Sequence, residues 1–326
     1  MAVTEQLSPE PIPHSNRLLT GAVLLLAAAT VGLLLTFAGY YYWDRYVGRL
    51  GDQSPLEQEI SRLEAAIHDN PQDPALRLSL AEFYLAQGLN HDAAAQAGQI
   101  LAHDPANEGA LLIQGMSFFR LNQPQAALDP LEKFVAMRRS QSLAHADTAL
   151  EAAYYFLGVS YLQLERPKLA IPLLEEALLI NRADADALYQ LGQAYAATGQ
   201  PQRALEQYHQ AIRLVPDFTE VYAGMIEAYS ALSQPGQVAY ARGMQAFSQR
   251  DFATARTELE AAVAARPDFI PAQLGLGLTL EKQGEFAAAL TIAQRVIELE
   301  PDNFAAQQLF RRAEITLKQR PPQEAQ

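Results

Sequence analysis

The hydrophobic and polar positions from residue 55 onward follow a helical period, interrupted at intervals by Pro and Gly. In residues 188–216, LYQLGQAYAATGQPQRALEQYHQAIRLVP, small and large apolar side chains recur three and four positions apart on both sides of a Gly-Gln-Pro turn. This spacing places them on one face of each of two successive helices. The pattern therefore predicts a helix–turn–helix unit.

The same unit returns along the chain. A small residue in its first helix recurs with spacings of 34, 43, 34, 51 and 34, at Ala81, Gly115, Gly158, Gly192, Gly243 and Gly277. A small residue in its second helix follows the same five spacings, at Ala93, Ala127, Ala170, Ala204, Ala255 and Ala289. Antiparallel helices approach closely only where side chains are small, so the two columns predict repeated close helix crossings.

These positions resemble the tetratricopeptide repeat, a helix–turn–helix unit of about 34 residues. The resemblance implies an all-α fold, a right-handed superhelical solenoid over residues 55–303, with full repeats at about 74–107, 108–139, 151–184, 185–218, 236–269 and 270–303. The spacing of 43 adds nine residues near 140–150, and the spacing of 51 adds half a unit, which predicts a half repeat at 219–235. A capping helix is expected at 304–320 and a disordered tail at 321–326.

The N-terminal part contains a long uncharged segment. The 26 positions between Arg17 and Asp44 carry no charge, and about 20 apolar residues suffice to cross a bilayer. We therefore predict a transmembrane helix at 18–43 after a tail at 1–17 and before a linker at 44–54. Amphipathic rings suited to the headgroup level end the segment, at Tyr40, Tyr41, Tyr42 and Trp43. A cleaved signal peptide is the alternative, but its apolar region would be shorter, about 7–15 residues.

The charge balance and residue usage narrow the function. With 37 acidic and 24 basic residues, the net charge of −13 gives no general attraction to nucleic acid. The absence of cysteine excludes disulfides, thiolate metal sites and a cysteine nucleophile. His68, His91 and His103 each precede an Asp, as in some metal sites, but histidine also suits a helix C-terminus. We predict no catalytic residues, metal or cofactor, no small-molecule substrate, and no enzyme.

The family resemblance implies that first helices line a concave groove. By register, the second and third full repeats expose an apolar strip there, and this strip is the predicted partner-binding site: Leu112, Ile113, Met116, Phe119, Tyr155, Phe156, Val159 and Leu162. Farther along, the corresponding residues are polar or small: Tyr189, Gln190, Gln193, Ala196, Glu220, Ala223, Glu227 and Ser230. The alternative is that the nine-residue insertion or the C-terminal helix covers the strip.

Together these features favour a membrane-tethered, non-catalytic scaffold or assembly factor that binds a helical or extended segment of a protein partner, itself in or at the membrane. A broad-specificity holdase chaperone at the membrane is the second interpretation and an enzyme with an unrecognised site the third. The count of Arg17 against Arg45 and Arg49 favours a cytoplasmic repeat domain. Similarity to anchored tetratricopeptide subunits of bacterial cytochrome c maturation and to the ancillary Sec chaperone favours the extracytoplasmic side, which we prefer.

Overall fold

The computed structural model describes residues 30–33, 35–41, 55–141 and 144–319, and the chain divides into two units, 1–73 and 74–326. In the first unit, residues 30–33 and 35–41 are helical, with Tyr40 and Tyr41 exposed. A longer helix follows, α1 (Pro55–Asp69). Within the described ranges, no helix combines the length and apolar content that a bilayer crossing requires. Residues 18–29 of the predicted anchor, Tyr42 and Trp43 lie outside those ranges.

The second unit is an all-α helical repeat solenoid. Its fourteen described helices are joined by short turns, and one 3-10 turn (Ala144–Ala146) lies in the expected insertion, where residues 142–143 are outside the described part. The α-helices are α2 (Pro74–Ala86), α3 (Asn90–His103), α4 (Glu108–Arg120), α5 (Pro124–Arg138), α6 (Thr148–Gln163), α7 (Pro167–Ile180), α8 (Ala185–Ala197), α9 (Pro201–Leu214), α10 (Thr219–Ala231), α11 (Pro235–Ser248), α12 (Phe252–Ala265), α13 (Ile270–Lys282), α14 (Phe286–Leu299) and α15 (Phe304–Gln319).

Local sequence fixes where these helices begin. Several first helices begin after a side chain that accepts a hydrogen bond from the helix N-terminus, as Asp184 does from the Ala187 backbone N–H of α8. Most second helices begin with Pro, which lacks the N–H that would otherwise be unsatisfied, at Pro124, Pro167, Pro201 and Pro235. Each described turn from a first to a second helix contains one residue with positive φ, and three of these residues are glycines.

The helix α11 has features of both helix types. It begins like a second helix, with Pro235 in its first turn after Ser233 at φ 56°. It ends like a first helix, because Arg250 just beyond it has φ 63°. The two positive-φ residues are 17 positions apart, half of the 34-residue period. The helix α11 is thus the second helix of the pair with α10 and the first helix of the pair with α12.

The core lies where second helices pack on glycines of first helices. A Cβ placed on Gly192 of α8 would lie 2.3 Å from Cε1 of Tyr208 of α9. A Cβ on Gly224 of α10 would lie 2.6 Å from Cζ of the same ring. The Tyr208 side chain is 1% exposed, so it fills the space between two first helices from the second helix behind them. Only glycine permits this approach on either side.

First helices also contact each other. Besides its neighbours in sequence, α4 packs on α2 and α6, and α8 packs on α6 and α10. A second row of such contacts joins α11, α13 and α15. The first helices of the unit therefore form two rows. In the row from α2 to α10, the side chains that face away from the second helices share one surface, which we call the first-helix face.

Candidate functional site

The predicted apolar strip occupies α4 and α6, adjacent first helices. Six of its eight residues are half-buried and keep part of their surface on the first-helix face: Leu112, Met116, Phe119, Tyr155, Phe156 and Leu162. Ile113 and Val159 differ from the expectation, being only 5% and 6% exposed. Ile113 belongs to the core that includes Ala81, and Val159 to the core that includes Ala170, because both point toward the packed helices. They are core residues and offer little surface to a partner.

Three aromatic rings form the centre of the strip. Phe119 of α4 and Phe156 of α6 have ring centroids 5.0 Å apart, and Tyr155 lies 5.4 Å from Phe156 with its ring nearly perpendicular. Such tilted and edge contacts are favourable aromatic geometries. The structure therefore brings together the two phenylalanines that the sequence placed on neighbouring helices, and it leaves each ring partly accessible.

Acidic side chains lie beside this cluster, toward α8. Burial and a hydrogen bond with Asp184 raise the pKa of Glu151 to about 7, because two carboxyl groups share one site. Burial, together with the charges of Asp184 and Glu220, raises the pKa of Asp186. Burial first and the nearby carboxylates second raise the pKa of Tyr155 to about 12. Negative charge thus accumulates along α6, α8 and α10.

An open cavity of about 480 Å³ lies between α8 and α10. This volume is within the range of ordinary ligand pockets. The lining contains five of the polar or small positions predicted for this part of the face, namely Tyr189, Gln193, Ala196, Ala223 and Glu227. Gln190, Glu220 and Ser230 are not part of it.

Tyr208 forms part of the cavity wall, although it belongs to the second helix α9. Its ring centroid is 6.1 Å from that of Tyr189, whose hydroxyl accepts a hydrogen bond of 2.8 Å from Nε2 of Gln193. Tyr208 was not among the predicted site residues, because those were all taken from first helices. A signal was available in the sequence: the corresponding position in other repeats is Leu, at Leu131, Leu174 and Leu259.

The insertion is tied to the repeats by one arginine. Arg138 at the end of α5 pairs with Glu108 of α4 and with Asp147, both at 2.8 Å. Asp147 also accepts hydrogen bonds from the first backbone N–H groups of α6, those of Ala149 and Leu150. The 3-10 turn packs on α7, and α15 packs on α13 and α14. The described parts of both candidate covers therefore pack mainly on helices other than α4 and α6.

No site for metal chemistry emerges from the part of the chain that the structure describes. There, no group of three or more His, Asp or Glu side chains could hold a metal ion. Within the described residues, Nε2 of His209 lies 2.9 Å from the Tyr229 hydroxyl. Burial lowers the pKa of His209, with a smaller contribution from Arg213. The ring therefore favours the neutral form in a structural hydrogen bond.

Several known solved structures are similar to this chain. MamA is 26% identical over 53% of this chain and 96% of its own, with a TM-score of 0.47. A MamA chain from Desulfovibrio magneticus is 21% identical over 55% of this chain and 96% of its own, with a TM-score of 0.48. YrrB, described as having an unusual peptide-binding site, is 22% identical over 64% and 95%, with a TM-score of 0.46.

No curated protein sequence matches the chain. Family profiles do match it, and all are profiles of the tetratricopeptide repeat. One matches residues 60–107, 84–144 and 240–306, a second matches 185–218 and a third matches 151–184. The matched residues make up about two thirds of the chain and include the crossings at Gly192 and Gly243. The chain therefore belongs to the tetratricopeptide repeat family.

Proposed function

We propose that this protein is a membrane-tethered, non-catalytic scaffold or assembly factor that binds a helical or extended segment of another protein. The observation that carries the proposal is the half-accessible aromatic cluster of Phe119, Tyr155 and Phe156 on adjacent first helices. Aromatic side chains dominate the energies of protein interfaces because they bury much apolar area with little loss of conformational freedom. An apolar strip of this kind suits the apolar face of a partner helix.

The energetics support a binding role for the cluster. A fully exposed phenylalanine pair would be costly to leave in water, and a fully buried pair would serve stability alone. Half-burial gives the pair a fixed geometry from the core while leaving area that only a partner can bury. Most of each ring is buried in the fold, and the smaller accessible part is the area that a partner would bury.

The tether is the predicted helix at 18–43, supported by the uncharged run and its aromatic end. A tether raises the effective concentration of the repeats near other membrane proteins. We therefore propose a partner that is itself in the membrane or bound to it, with the repeats on the extracytoplasmic side. A protease-protection assay on a C-terminal tag tests that orientation, and digestion from the cytoplasmic side would contradict it.

Crosslinking in intact membranes followed by mass spectrometry tests the function. A scaffold should give one recurrent partner at a fixed ratio, whereas a holdase should give many unrelated chains and should suppress their aggregation. The variant Phe119→Ala/Phe156→Ala should lose the recurrent partner while remaining folded, with a stability loss of about 2–4 kcal/mol. The control is Phe304→Ala, which truncates a phenylalanine that is 69% exposed on α15. Loss of the partner in the control as well would contradict the proposed site.

A further inference from the structure

The cavity between α8 and α10 has features that neither packing nor helix electrostatics explains. Tyr208 is 1% exposed, yet no hydrogen bond among the described residues includes its hydroxyl. The hydroxyl end of the ring lies against Gly224, where the cavity wall is backbone. The hydroxyl is not among the fully buried polar atoms of the described residues, so its small accessible surface faces the cavity, and three other repeats have leucine at this position.

Glu227 on the other wall of the cavity is exposed. No ion pair among the described residues includes it. Acidic residues in the first turn of a helix are stabilised by the helix dipole, which accounts for Asp186 and Glu220. Glu227 lies in the second half of α10, where the dipole disfavours a negative charge. Helix stability therefore does not account for a glutamate at this place.

The first helices α8 and α10 border the cavity and α6 packs on α8, and the field of all three helices is negative. The helices α6, α8 and α10 contain four acidic residues and no Lys or Arg: Glu151, Asp186, Glu220 and Glu227. The charges of Glu220 and Glu227 add to burial in raising the pKa of Tyr189. A cationic side chain in the cavity would compensate this charge and could lie on the tyrosine rings, which attract cations.

We propose that the cavity binds an arginine or lysine side chain from a basic, extended segment of the partner protein. In this arrangement Glu227 forms an ion pair with the cationic group, and the Tyr208 hydroxyl accepts a hydrogen bond from one of the N–H groups of the cation. Tyr189 contacts the apolar part of the bound side chain. Arginine is favoured because its planar group presents several donors at once. The inference rests on the proposed scaffold function. It specifies the chemistry of the partner segment that would lie next to the aromatic cluster on the first-helix face.

Fluorescence anisotropy of the full chain, purified in detergent micelles, tests this inference. The probe is a labelled peptide of alternating Arg and Ala, about nine residues long, which spans about 30 Å when extended. A peptide with Gln in place of Arg is the comparison. The Arg peptide should bind at least about tenfold more tightly, and salt raised from about 50 to about 300 mM should weaken it severalfold. Equal affinity of the two peptides would overturn the inference.

Three substitutions separate the cavity from the general negative field. Glu227→Gln should lower the affinity for the Arg peptide about fivefold, as expected for one partly desolvated ion pair. Ala223→Leu, which fills the cavity without changing charge, should weaken it similarly. The control is Glu258→Gln on α12, which removes the same charge outside the cavity lining and should have little effect. Equal effects of the two glutamate substitutions would show that the field acts without the cavity, and would overturn the inference.

The outcome is distinguishable from a failure of the scaffold function. If Glu227→Gln leaves peptide binding unchanged while Phe119→Ala/Phe156→Ala still loses the membrane partner, the cavity inference is wrong and the scaffold function stands. Binding of the peptide only after residues 1–17 are removed would assign the cavity to the chain's own N-terminal part. That result would also overturn the inference.

Discussion

Gly192→Ala tests the packing of the repeats most sharply, because one methyl group is added at the closest crossing of the fold. The new Cβ would lie 2.3 Å from Cε1 and 2.6 Å from Cδ1 of Tyr208. The ring has little room between the two helices, because its opposite side lies so close to the Gly224 backbone that a Cβ there would be 2.6 Å from Cζ. Helix backbone or ring must therefore shift within a close-packed core.

The magnitude follows from two opposing effects. Overpacking costs about 1–3 kcal/mol, and this crossing belongs at the upper end because both sides of the ring are blocked. Replacing Gly by Ala in a helix returns about 1 kcal/mol. We therefore expect a net loss of about 2 kcal/mol, or a drop in melting temperature of about 4–8 °C for a cooperative unit of this size. Circular dichroism during heating and in urea measures both quantities.

A second substitution tests the cause. In the first full repeat the same register pairs Ala81 with Ala97, so an alanine is tolerated where its partner is small. Tyr208→Ala alone should cost about 3–5 kcal/mol, because a fully buried ring is lost. In that background Gly192→Ala should cost nothing further. An equal cost of Gly192→Ala in both backgrounds would refute the reasoning.

The matched control is Gly98→Ala on α3. Its Cβ would lie 3.2 Å from Nε2 of Gln114, the mobile end of a flexible side chain. The same chemical change should therefore be neutral or stabilising by up to about 1 kcal/mol. A comparable loss at Gly98 and Gly192 would show that helix flexibility, and not the Tyr208 contact, determines the effect.

Three further predictions concern charge and the N-terminal segment. The pKa of Glu151, about 7, exceeds its value of 4.5 in the unfolded chain, so the unfolded chain releases this proton first as the pH rises, and the free energy of unfolding falls between pH 4.5 and 7. Glu151→Gln should reduce that fall, measured by urea titrations at the two ends of the range. An unchanged fall would contradict the pairing with Asp184. Arg138→Met should lower the free energy of unfolding by about 1–3 kcal/mol, because it leaves Asp147 without its charged partner; an unchanged urea midpoint would contradict this. The full chain should resist carbonate extraction from membranes if residues 18–43 span the bilayer, while a chain without that segment should be released; full-length protein in the supernatant would contradict the tether.

The sequence predicted the repeat fold because close packing requires small residues at the helix crossings, and these residues therefore recur at regular spacings along the chain. The columns through Gly192 and Ala204 identified the crossing, and Pro201 marked the start of the second helix. The sequence indicates less clearly how each helix is rotated about its own axis. A register carried over from the family cannot distinguish Ile113, which packs inward, from its neighbour Leu112, which remains half-accessible.

Two other features depend on three-dimensional packing. The role of Tyr208 arises because glycines on two different first helices let its ring reach the cavity, and no spacing within one helix encodes this. The dual character of α11 depends on the backbone at Ser233 and Arg250, residues that are not typical of positive φ. The spacing of 51 indicated an irregularity there, but the sequence did not reveal that one helix serves two turns.

Site-specific photocrosslinking in intact cells tests the central claim most directly, namely that a protein segment binds the first-helix face. A benzophenone amino acid replaces Phe156, which keeps an aromatic ring at the cluster, and in a second variant it replaces Leu169, which is 50% exposed on the second helix α7. The account predicts one discrete crosslinked product from position 156 and none from position 169. Crosslinking from position 169 alone, or the same products from both positions, would contradict it.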